Sequence, residues 1–303
     1  MTRPLVSIVT PSYAQARFLE ETMRSVLEQD YEPIEYIVVD GGSTDGSVDV
    51  IRRYENRLAW WTSEPDRGQA HAINKGFARA RGEYLGWLNS DDTLLPGAIS
   101  RLVGELERDT GLSAAYGDAV WLDEDSRHLG PQRARELDVR AMARSGSAHV
   151  LQPASLWRRE AWERAGPLDE SLHYVFDTVF FLRLAALGRA RHLAEPLAGY
   201  RIHPASKTYS EPLPKIEEYL RLADEVFAAD PLRPYARAGR ASYYRRAAWS
   251  LWNLGELSRA RRTFLRSLLV SPAMTRGTAA KMVRTLAPGP LVRRRRARRA
   301  AAA

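Results

Sequence analysis

Short apolar segments alternate with amphipathic ones along the first hundred residues. The apolar segments are rich in β-branched and aromatic residues, and the segments between them repeat apolar side chains at helical spacing. This pattern predicts strands over 5–9, 34–39, 58–62 and 84–88, and helices over 18–27, 48–54 and 69–80. Strands that alternate with helices through short loops form right-handed crossovers in a parallel sheet. We therefore expect an α/β fold with a doubly wound, mainly parallel sheet.

The pattern is less regular beyond this sheet. It predicts a helix over 99–106, a strand over 114–122 and a helix over 174–184 that is apolar nearly all round. The polar segment 124–147 is typical of a loop or hairpin, and 152–157 of a compact, buried segment. Beyond about residue 212 the chain becomes helical, and 243–272 looks like one tetratricopeptide-type hairpin with Gly255 at its turn. An ordinary helical hairpin explains this segment as well, so we expect a small all-helical C-terminal region.

Composition and charge exclude several classes of protein. The 303 residues include no cysteine, which excludes disulfides, thiolate metal sites and a cysteine nucleophile. The net charge of +8 depends on six arginines between 293 and 299, and without them it is +2. No broad nucleic-acid-binding surface is therefore indicated. The apolar run at 5–9 is too short for a signal peptide, and no run could span a bilayer, so we expect a cytoplasmic protein.

Acidic residues follow three of the predicted parallel strands. Asp40 follows the second strand, Asp66 follows the third, and Asp91 and Asp92 follow the fourth. The carboxyl ends of parallel strands meet at one edge of a sheet, where α/β proteins bind ligands. Adjacent carboxylates repel each other, and an oxygen-liganded divalent cation such as Mg²⁺ or Mn²⁺ relieves that repulsion. The alternative is that each of these residues caps a polar turn.

Two nucleotide-binding classes are disfavoured by the glycine-rich segment 41–46. Its glycines lack the G-x-G-x-x-G order and follow the second strand rather than the first, and no G-x-x-x-x-G-K-[ST] motif occurs in the chain. A dinucleotide-dependent oxidoreductase and a P-loop NTPase are therefore both poor interpretations. A nucleotidyltransferase would need a basic phosphate-binding loop after the first strand, and residues 10–13 do not form one.

Two further residues carry candidate chemistry in the second half of the chain. Asp177 lies near the start of the apolar helix, where it is either an N-cap or a general base in an apolar wall. Arg201 and His203 follow a short predicted strand, and His203 is either structural or part of the site. The residues alone leave both alternatives open.

These segments together resemble the family 2 glycosyltransferases, which have the glycosyltransferase A fold. The matching segments occur in family order over roughly residues 4–208: VSIVTPSY at 6–13, IVVDGGSTDGS at 37–47, DRG at 66–68, NKG at 74–76, NSDD at 89–92, FD at 176–177 and YRIH at 200–203. Each segment alone is a weak signal, and the ordered set is specific. The resemblance implies an inverting transfer of a sugar from a nucleotide-diphosphate sugar to a hydroxyl acceptor.

The resemblance also implies roles for individual residues. It places Thr10, Pro11 and Tyr13 in the nucleotide pocket, Asp40 on the base, and Asp66 near the base or ribose. Lys75 and Asp91 join the donor site, with Asp91 nearer the donor sugar or ribose. By the same likeness Asp92 is the ligand of a divalent cation, Mn²⁺ or Mg²⁺, His203 reaches the metal or diphosphate, and Asp177 is the catalytic base.

The chain departs from the family pattern at two positions. Asn89 stands where many members have the first aspartate of the acidic motif, so we do not count it as a ligand. Phe176 replaces the carboxylate that usually precedes the base, which leaves Asp177 as the candidate there. A non-catalytic nucleotide-sugar-binding or scaffold protein is the competing interpretation, and the presence of Asp40, Asp91, Asp92 and Asp177 together favours the enzyme.

We predict a catalytic domain over 1–210, with a nucleotide-binding half over 1–110 and an acceptor half over 111–210. A helical extension over 211–290 and a basic tail over 291–303 follow. The tail is either disordered or attracted to an anionic membrane through the arginines at 293–299, because such clusters gain roughly 1 kcal/mol per charge. Peripheral membrane contact fits a lipid-linked acceptor.

Overall fold

A computed structural model of the chain describes residues 3–204, 206–207 and 213–272. Contacts between residues divide the chain into two compact units. The first unit is Met1–Val139 with Ala148–Ser210, and the second is Arg140–Ser147 with Glu211–Ala303. The second unit therefore takes a short segment from the middle of the sequence, which the predicted linear domain order did not anticipate.

The described residues form nine strands and ten α-helices. The strands are β1 Val6–Ser12, β2 Ile34–Asp40, β3 Trp60–Ser63, β4 Tyr84–Trp87, β5 Thr93–Leu94, β6 Leu112–Leu122, β7 His128–Gln132, β8 Ser155–Arg158 and β9 Arg189–Arg201. The helices are α1 Ala16–Leu27, α2 Ser47–Arg53, α3 Gln69–Arg79, α4 Ala98–Arg108, α5 Val139–Ser145, α6 Arg159–Ala165, α7 Phe176–Leu187, α8 Leu213–Asp224, α9 Ala236–Leu254 and α10 Leu257–Val270. Among these residues no helix is long and apolar enough to cross a membrane.

The strands of the first unit form one mixed sheet in the order β3-β2-β1-β4-β8-β6-β9-β5, with β7 paired to β6. Strands β3, β2, β1 and β4 are parallel, as the strand–helix alternation predicts. The antiparallel strand β8 joins β4 to β6, and β9 runs parallel to β6. The predicted α/β fold with a helical C-terminal region is confirmed, and the sheet is mixed, with its parallel part formed by β3, β2, β1 and β4.

Helix α3 shows how closely a helix packs on the parallel part of the sheet. A Cβ atom on Gly76 would lie 2.4 Å from Cγ1 of Val9 on β1, so only glycine permits this approach. The neighbouring Asn74 exchanges hydrogen bonds with the backbone of Leu168, from its Nδ2 to the carbonyl oxygen at 2.9 Å and from the amide N–H to its Oδ1 at 2.9 Å. Two residues of the NKG segment at 74–76 therefore have structural roles, Gly76 in helix–sheet packing and Asn74 in hydrogen bonding.

Several elements differ from the predicted ones. Strand β1 continues through Pro11 to Ser12, beyond the predicted end at residue 9, and β9 is 13 residues long where only a short strand was expected. The segment 124–147, where a loop or hairpin was predicted, contains β7, which pairs antiparallel with the preceding strand β6, and also the helix α5. Helix α6 was not predicted, since seven residues carry too few helical periods to show one.

The second unit is helical in its described residues. Helices α9 and α10 form the predicted hairpin, and Gly255 lies at the turn with a φ of +95°. Helix α8 contributes the buried side chains Ile216 and Leu222. Ser242 on α9 donates a hydrogen bond to the carbonyl oxygen of Ala143 on α5. The apolar face of the hairpin therefore has helical partners within its own unit. The predicted basic tail at 291–303 lies outside the described residues.

Candidate active site

The carboxyl ends of β1, β2 and β4 meet at one edge of the sheet. The amide N–H of Gly41 donates to the carbonyl oxygen of Ser12 at 2.8 Å, and that of Leu88 donates to the carbonyl oxygen of Val9 at 2.9 Å. The N–H of Glu64, directly after β3, donates to the carbonyl oxygen of Asp40 at 3.0 Å. Parallel pairing thus brings the three predicted acidic loops together, in the position where this class of sheet binds ligands.

Tyr13 and Asp66 both approach Gly41 at this edge. The Tyr13 side chain is 67% exposed. A Cβ atom on Gly41 would lie 2.9 Å from Oδ2 of Asp66 and 3.2 Å from Cδ2 of Tyr13, so the glycine lets both side chains approach its backbone. Asp66 Oδ1 accepts a hydrogen bond from the N–H of Gly68 at 2.7 Å. An aromatic ring beside a carboxylate offers stacking and hydrogen bonding to a flat polar ligand.

Asp40 is fully buried, and its carboxylate holds the loop that follows β2. Oδ2 accepts hydrogen bonds from the N–H groups of Gly42 and Ser43 and from the Ser63 hydroxyl, and Oδ1 accepts one from the Ser43 hydroxyl. Four internal bonds match the turn-capping alternative. The role in base recognition stays a prediction, and a base would have to share this carboxylate with the loop.

Three other expected donor residues have internal partners. Thr10 is fully buried, and its hydroxyl lies 2.9 Å from that of Tyr36; burial of Tyr36 raises the pKa of its phenol. Pro11 is also buried in β1. Lys75 on α3 forms an ion pair with Glu64. These side chains support the loops of the site, while Tyr13 is the member of the first motif that is open to solvent.

Asp91 and Asp92 have different surroundings although they are adjacent. The Asp91 side chain is 21% exposed, and its Oδ2 lies 3.1 Å from Nε2 of His203. Asp92 is 2% exposed; its Oδ1 accepts the backbone N–H of Arg201 at 2.9 Å, and its Oδ2 accepts Nδ2 of Asn89 at 3.2 Å. Burial and the neighbouring Asp91 raise the pKa of Asp92 well above its usual value, although these two hydrogen bonds lower it.

Asp91 is more accessible to a cation than the expected ligand Asp92, because its side chain is 21% exposed whereas Asp92 is 2% exposed and both of its oxygens accept internal hydrogen bonds. A carboxylate oxygen and an imidazole nitrogen 3.1 Å apart can bind one divalent cation. Residues 3–204, 206–207 and 213–272 contain no group of three or more His, Cys, Asp or Glu side chains suited to a metal ion. The two side chains therefore fit a cation that takes its other ligands from phosphate oxygens and water.

Arg201 holds this acidic loop in place, and its role was missed in the sequence. Its side chain is fully buried at the end of β9. Besides the backbone bond to Asp92, its Nε donates to the carbonyl oxygen of Asp91 at 2.8 Å. The position of Arg201 two residues before His203 was visible in the sequence, but its burial was not.

The Arg201 guanidinium also joins distant parts of the chain. It donates to Oε2 of Glu21 at 2.7 Å and, through Nη1, to the Asp123 carbonyl oxygen and the Ser126 hydroxyl. The Phe18 ring lies 4.9 Å from its Cζ atom, and the same ring packs against His203. A buried guanidinium is tolerated only when its donors are satisfied in this way.

Asn89 connects the acidic loop with two neighbouring loops. Its Oδ1 accepts a hydrogen bond from Nε2 of Gln69 at 2.7 Å, and its Nδ2 donates to Gln152 Oε1 at 3.1 Å as well as to Asp92. An aspartate at this position could not donate to either partner. The amide thus connects the three loops, and its exclusion as a metal ligand stays a prediction.

Lys207 brings the segment before α7 to the same edge. Its Nζ donates to Oε1 of Gln69 at 3.1 Å and to the carbonyl oxygen of His173 at 3.3 Å.

Asp177 lies in the first turn of α7, two residues after the N-cap Val175, so it is not the N-cap that the alternative interpretation required. Its Oδ1 accepts the N–H of Thr178 at 2.6 Å. An anionic side chain is stabilised at this end of a helix.

Buried aromatic side chains form a wall that packs against α7. Phe176, Phe180 and Phe181 are buried against Trp87 and Trp157, with ring centroids 5.0–6.5 Å apart for the pairs that join the helix to these tryptophans. Interiors of this density move little, so the first turn of α7 is held on a rigid support.

Comparison with known sequences decides the family. The sequence model of "Glycosyl transferase family 2" matches residues 7–161, which is about half of the chain. The chain belongs to glycosyl transferase family 2. This glycosyltransferase is 28% identical over 282 residues to an uncharacterised glycosyltransferase of Nostoc sp., covering 84% of this chain and 87% of the relative. The suspected family is thereby confirmed.

Solved structures of glycosyltransferases share the fold of this family 2 enzyme. Staphylococcus aureus TarS 1-349 in complex with UDP-GlcNAc has a TM-score of 0.69 at 17% identity, over 92% of this chain and 88% of that one. The mannosyltransferase PcManGT from Pyrobaculum calidifontis, in complex with GDP-Man and Mn²⁺, has a TM-score of 0.58 at 22% identity, over 92% and 79%. At these identities the likeness concerns the fold.

Proposed function

We propose that this family 2 glycosyltransferase moves a sugar from a nucleotide-diphosphate sugar to a hydroxyl acceptor, with inversion and with the help of a divalent cation. The observation that carries the proposal is the pairing of Asp91 with His203 at the sheet edge that also holds Tyr13 and Asp66. Structural neighbours bound to UDP-GlcNAc, and to GDP-Man with Mn²⁺, support a nucleotide-sugar donor.

The cluster of Tyr13, Gly41 and Asp66 is suited to the base and ribose of the donor. Its aromatic ring can stack on a base, and its carboxylate can accept hydrogen bonds from ribose hydroxyls. Asp40 and Lys75 contribute by holding the loops around this cluster, through the bonds of Asp40 to its own loop and the ion pair of Lys75 with Glu64.

Asp91 and His203 would hold a divalent cation, Mn²⁺ or Mg²⁺, against the diphosphate. Such a cation offsets the negative charge that the leaving diphosphate gains in the transition state, an effect of several kcal/mol. Arg201 fixes the backbone of Asp91 through its carbonyl oxygen, and Asn89 keeps the buried Asp92 in place. The ligand assignment differs from the expected one, since Asp92 supports the loop and Asp91 faces His203.

Asp177 is the proposed general base. The acceptor hydroxyl oxygen forms a bond to the anomeric carbon as the bond from that carbon to the diphosphate oxygen breaks, and the electron pair leaves with the nucleoside diphosphate. Asp177 takes the hydroxyl proton. Attack on the face opposite the leaving group inverts the anomeric configuration. The aromatic wall beneath α7 keeps the carboxylate in position for this transfer.

Replacement of Asp177 by asparagine tests the proposal. Asp177→Asn should lower turnover by roughly 10²–10⁴-fold, because a positioned base contributes about that much, while donor binding is kept. Turnover is measured as nucleoside diphosphate release, and donor binding by calorimetry in the presence of Mn²⁺. Glu163→Gln, on the exposed face of α6, is the control and should behave as wild type. Near-normal turnover of Asp177→Asn would remove this residue from the mechanism.

A further inference from the structure

Positive charge is concentrated in one part of the chain. Residues 236–303 contain 17 basic side chains and one acidic one, whereas residues 1–235 contain 28 basic and 36 acidic ones. The excess is therefore not confined to the arginine cluster at 293–299. The folded hairpin of α9 and α10, over 236–270, itself contributes eight arginines against the single Glu256, and three of the eight form ion pairs with Glu217 or Asp224 on α8.

Exposed leucines lie on the same hairpin. Leu254 at the end of α9 is 46% exposed, and Leu265 and Leu269 on α10 are 50% and 88% exposed. Leu265 and Leu269 are four residues apart and share one helix face with Arg262, which is also exposed. We name this set of Arg262, Leu265, Arg266 and Leu269 the leucine–arginine face.

We propose that the leucine–arginine face docks the chain on an anionic phospholipid surface. Apolar side chains beside arginines on one helix face are typical of helices that lie in a membrane interface, where the leucines enter the acyl boundary and the arginines meet the phosphates. A nucleic acid would meet the arginines but offers no apolar phase for the leucines.

The two components of the face act together. Each arginine near an anionic surface strengthens binding by roughly fivefold, and this part is weakened by salt. Arg266 also forms an ion pair with Asp224 at 3.3 Å, yet its side chain is 54% exposed. The leucines contribute a part that salt does not weaken, because burial of apolar area does not depend on ionic strength. Docking therefore requires both anionic lipid and exposed leucine.

Vesicle flotation of the full chain tests this proposal. The vesicles contain phosphatidylcholine alone or phosphatidylcholine with phosphatidylglycerol. The test variant is Leu265→Ser/Leu269→Ser, and the matched control is Leu129→Ser, which changes a leucine on β7 that is 56% exposed. A chain lacking residues 291–303 separates the face from the tail. Circular dichroism checks that each variant is folded.

The wild type should float with the anionic vesicles and stay unbound with the neutral ones. The double variant should bind the anionic vesicles roughly tenfold more weakly. Leu129→Ser and the shortened chain should both keep the part of the binding that depends on Leu265 and Leu269. Flotation of the double variant equal to wild type would overturn the proposal, as would no flotation of the wild type. Self-association that depends on these leucines, without flotation, would identify a second copy as the occupant and overturn it too.

Discussion

At the scale of single residues, the site depends on which of two adjacent carboxylates faces outward. Successive side chains at a strand end point to opposite sides, so one of two adjacent residues is exposed and the other is buried. The sequence does not indicate which of the two is exposed. Arg201 is the physical cause here, because its backbone N–H binds Asp92 while its side chain binds the Asp91 carbonyl oxygen. Its other partners lie up to 180 positions away in sequence, so sequence alone could not show that it is buried.

Arg201→Met should therefore lower the free energy of unfolding by about 3–5 kcal/mol, since it leaves buried acceptors without their donor. Urea unfolding followed by tryptophan fluorescence measures this change. Arg17 provides a matched control, because it also stacks on Phe18 but its side chain is 56% exposed. Arg17→Met should cost no more than about 1 kcal/mol. Equal losses in the two variants would contradict the structural role of Arg201.

At the scale of elements, the parallel strands and their helices were predictable because their periodicity is local. Strand β9 was underestimated because it begins with exposed charged residues and contains Pro196, near which its pairing with β6 shifts register. Helix α5 is too short to show a helical period and lies in a polar stretch. Long-range pairing and burial, rather than local preference, determine these two elements.

Glu35 on β2 supplies a pH-dependent link between elements. It is 4% exposed; Ser7 on β1 donates to it, and so do the backbone N–H and the Nε of Arg81. Burial alone would raise the pKa of Glu35, but these hydrogen bonds outweigh it and the pKa is lowered. A lowered pKa stabilises the fold above the unfolded value of about 4.3, and this stabilisation is lost as the pH falls through the folded value.

Glu35→Gln should accordingly lower the free energy of unfolding by about 1–3 kcal/mol at pH 7, and by less as the pH falls below about 4. Urea unfolding across this pH range is the measurement. Glu28→Gln is the control, since Glu28 is 54% exposed in an ion pair with Arg24 on α1, and it should change stability by at most about 0.5 kcal/mol. A difference between wild type and Glu35→Gln that does not change with pH would contradict this account.

At the scale of the whole molecule, the C-terminal helices form one compact unit with an internal segment of the chain. Residues 140–147 belong to the helical unit, and in that unit Met142 and Ala143 on α5 are fully buried. Arg246 on α9 also donates to the carbonyl oxygen of Gly146 at 2.9 Å. The predicted boundary at 210 lies where the second unit resumes along the chain. The sequence did not show that the internal segment 140–147 also belongs to that unit.

A chain that ends at residue 210 should therefore leave the apolar side of α5 uncovered and aggregate. Replacement of residues 140–147 by a glycine–serine linker in that shortened chain should restore a monomer, because it removes the uncovered side chains. Size-exclusion chromatography distinguishes the two chains. A monomeric shortened chain that needs no such replacement would show that α5 does not depend on the C-terminal helices.

We propose that Asp91, with His203, binds the cation that accompanies the donor. Calorimetric titration of UDP-GlcNAc and GDP-Man, with and without Mn²⁺, into wild type, Asp91→Asn and Asp92→Asn tests it most directly. We expect Mn²⁺ to strengthen donor binding by the wild type and by Asp92→Asn, and Asp91→Asn to lose about tenfold or more of that gain. Loss of the Mn²⁺ effect in Asp92→Asn with its retention in Asp91→Asn would contradict the claim.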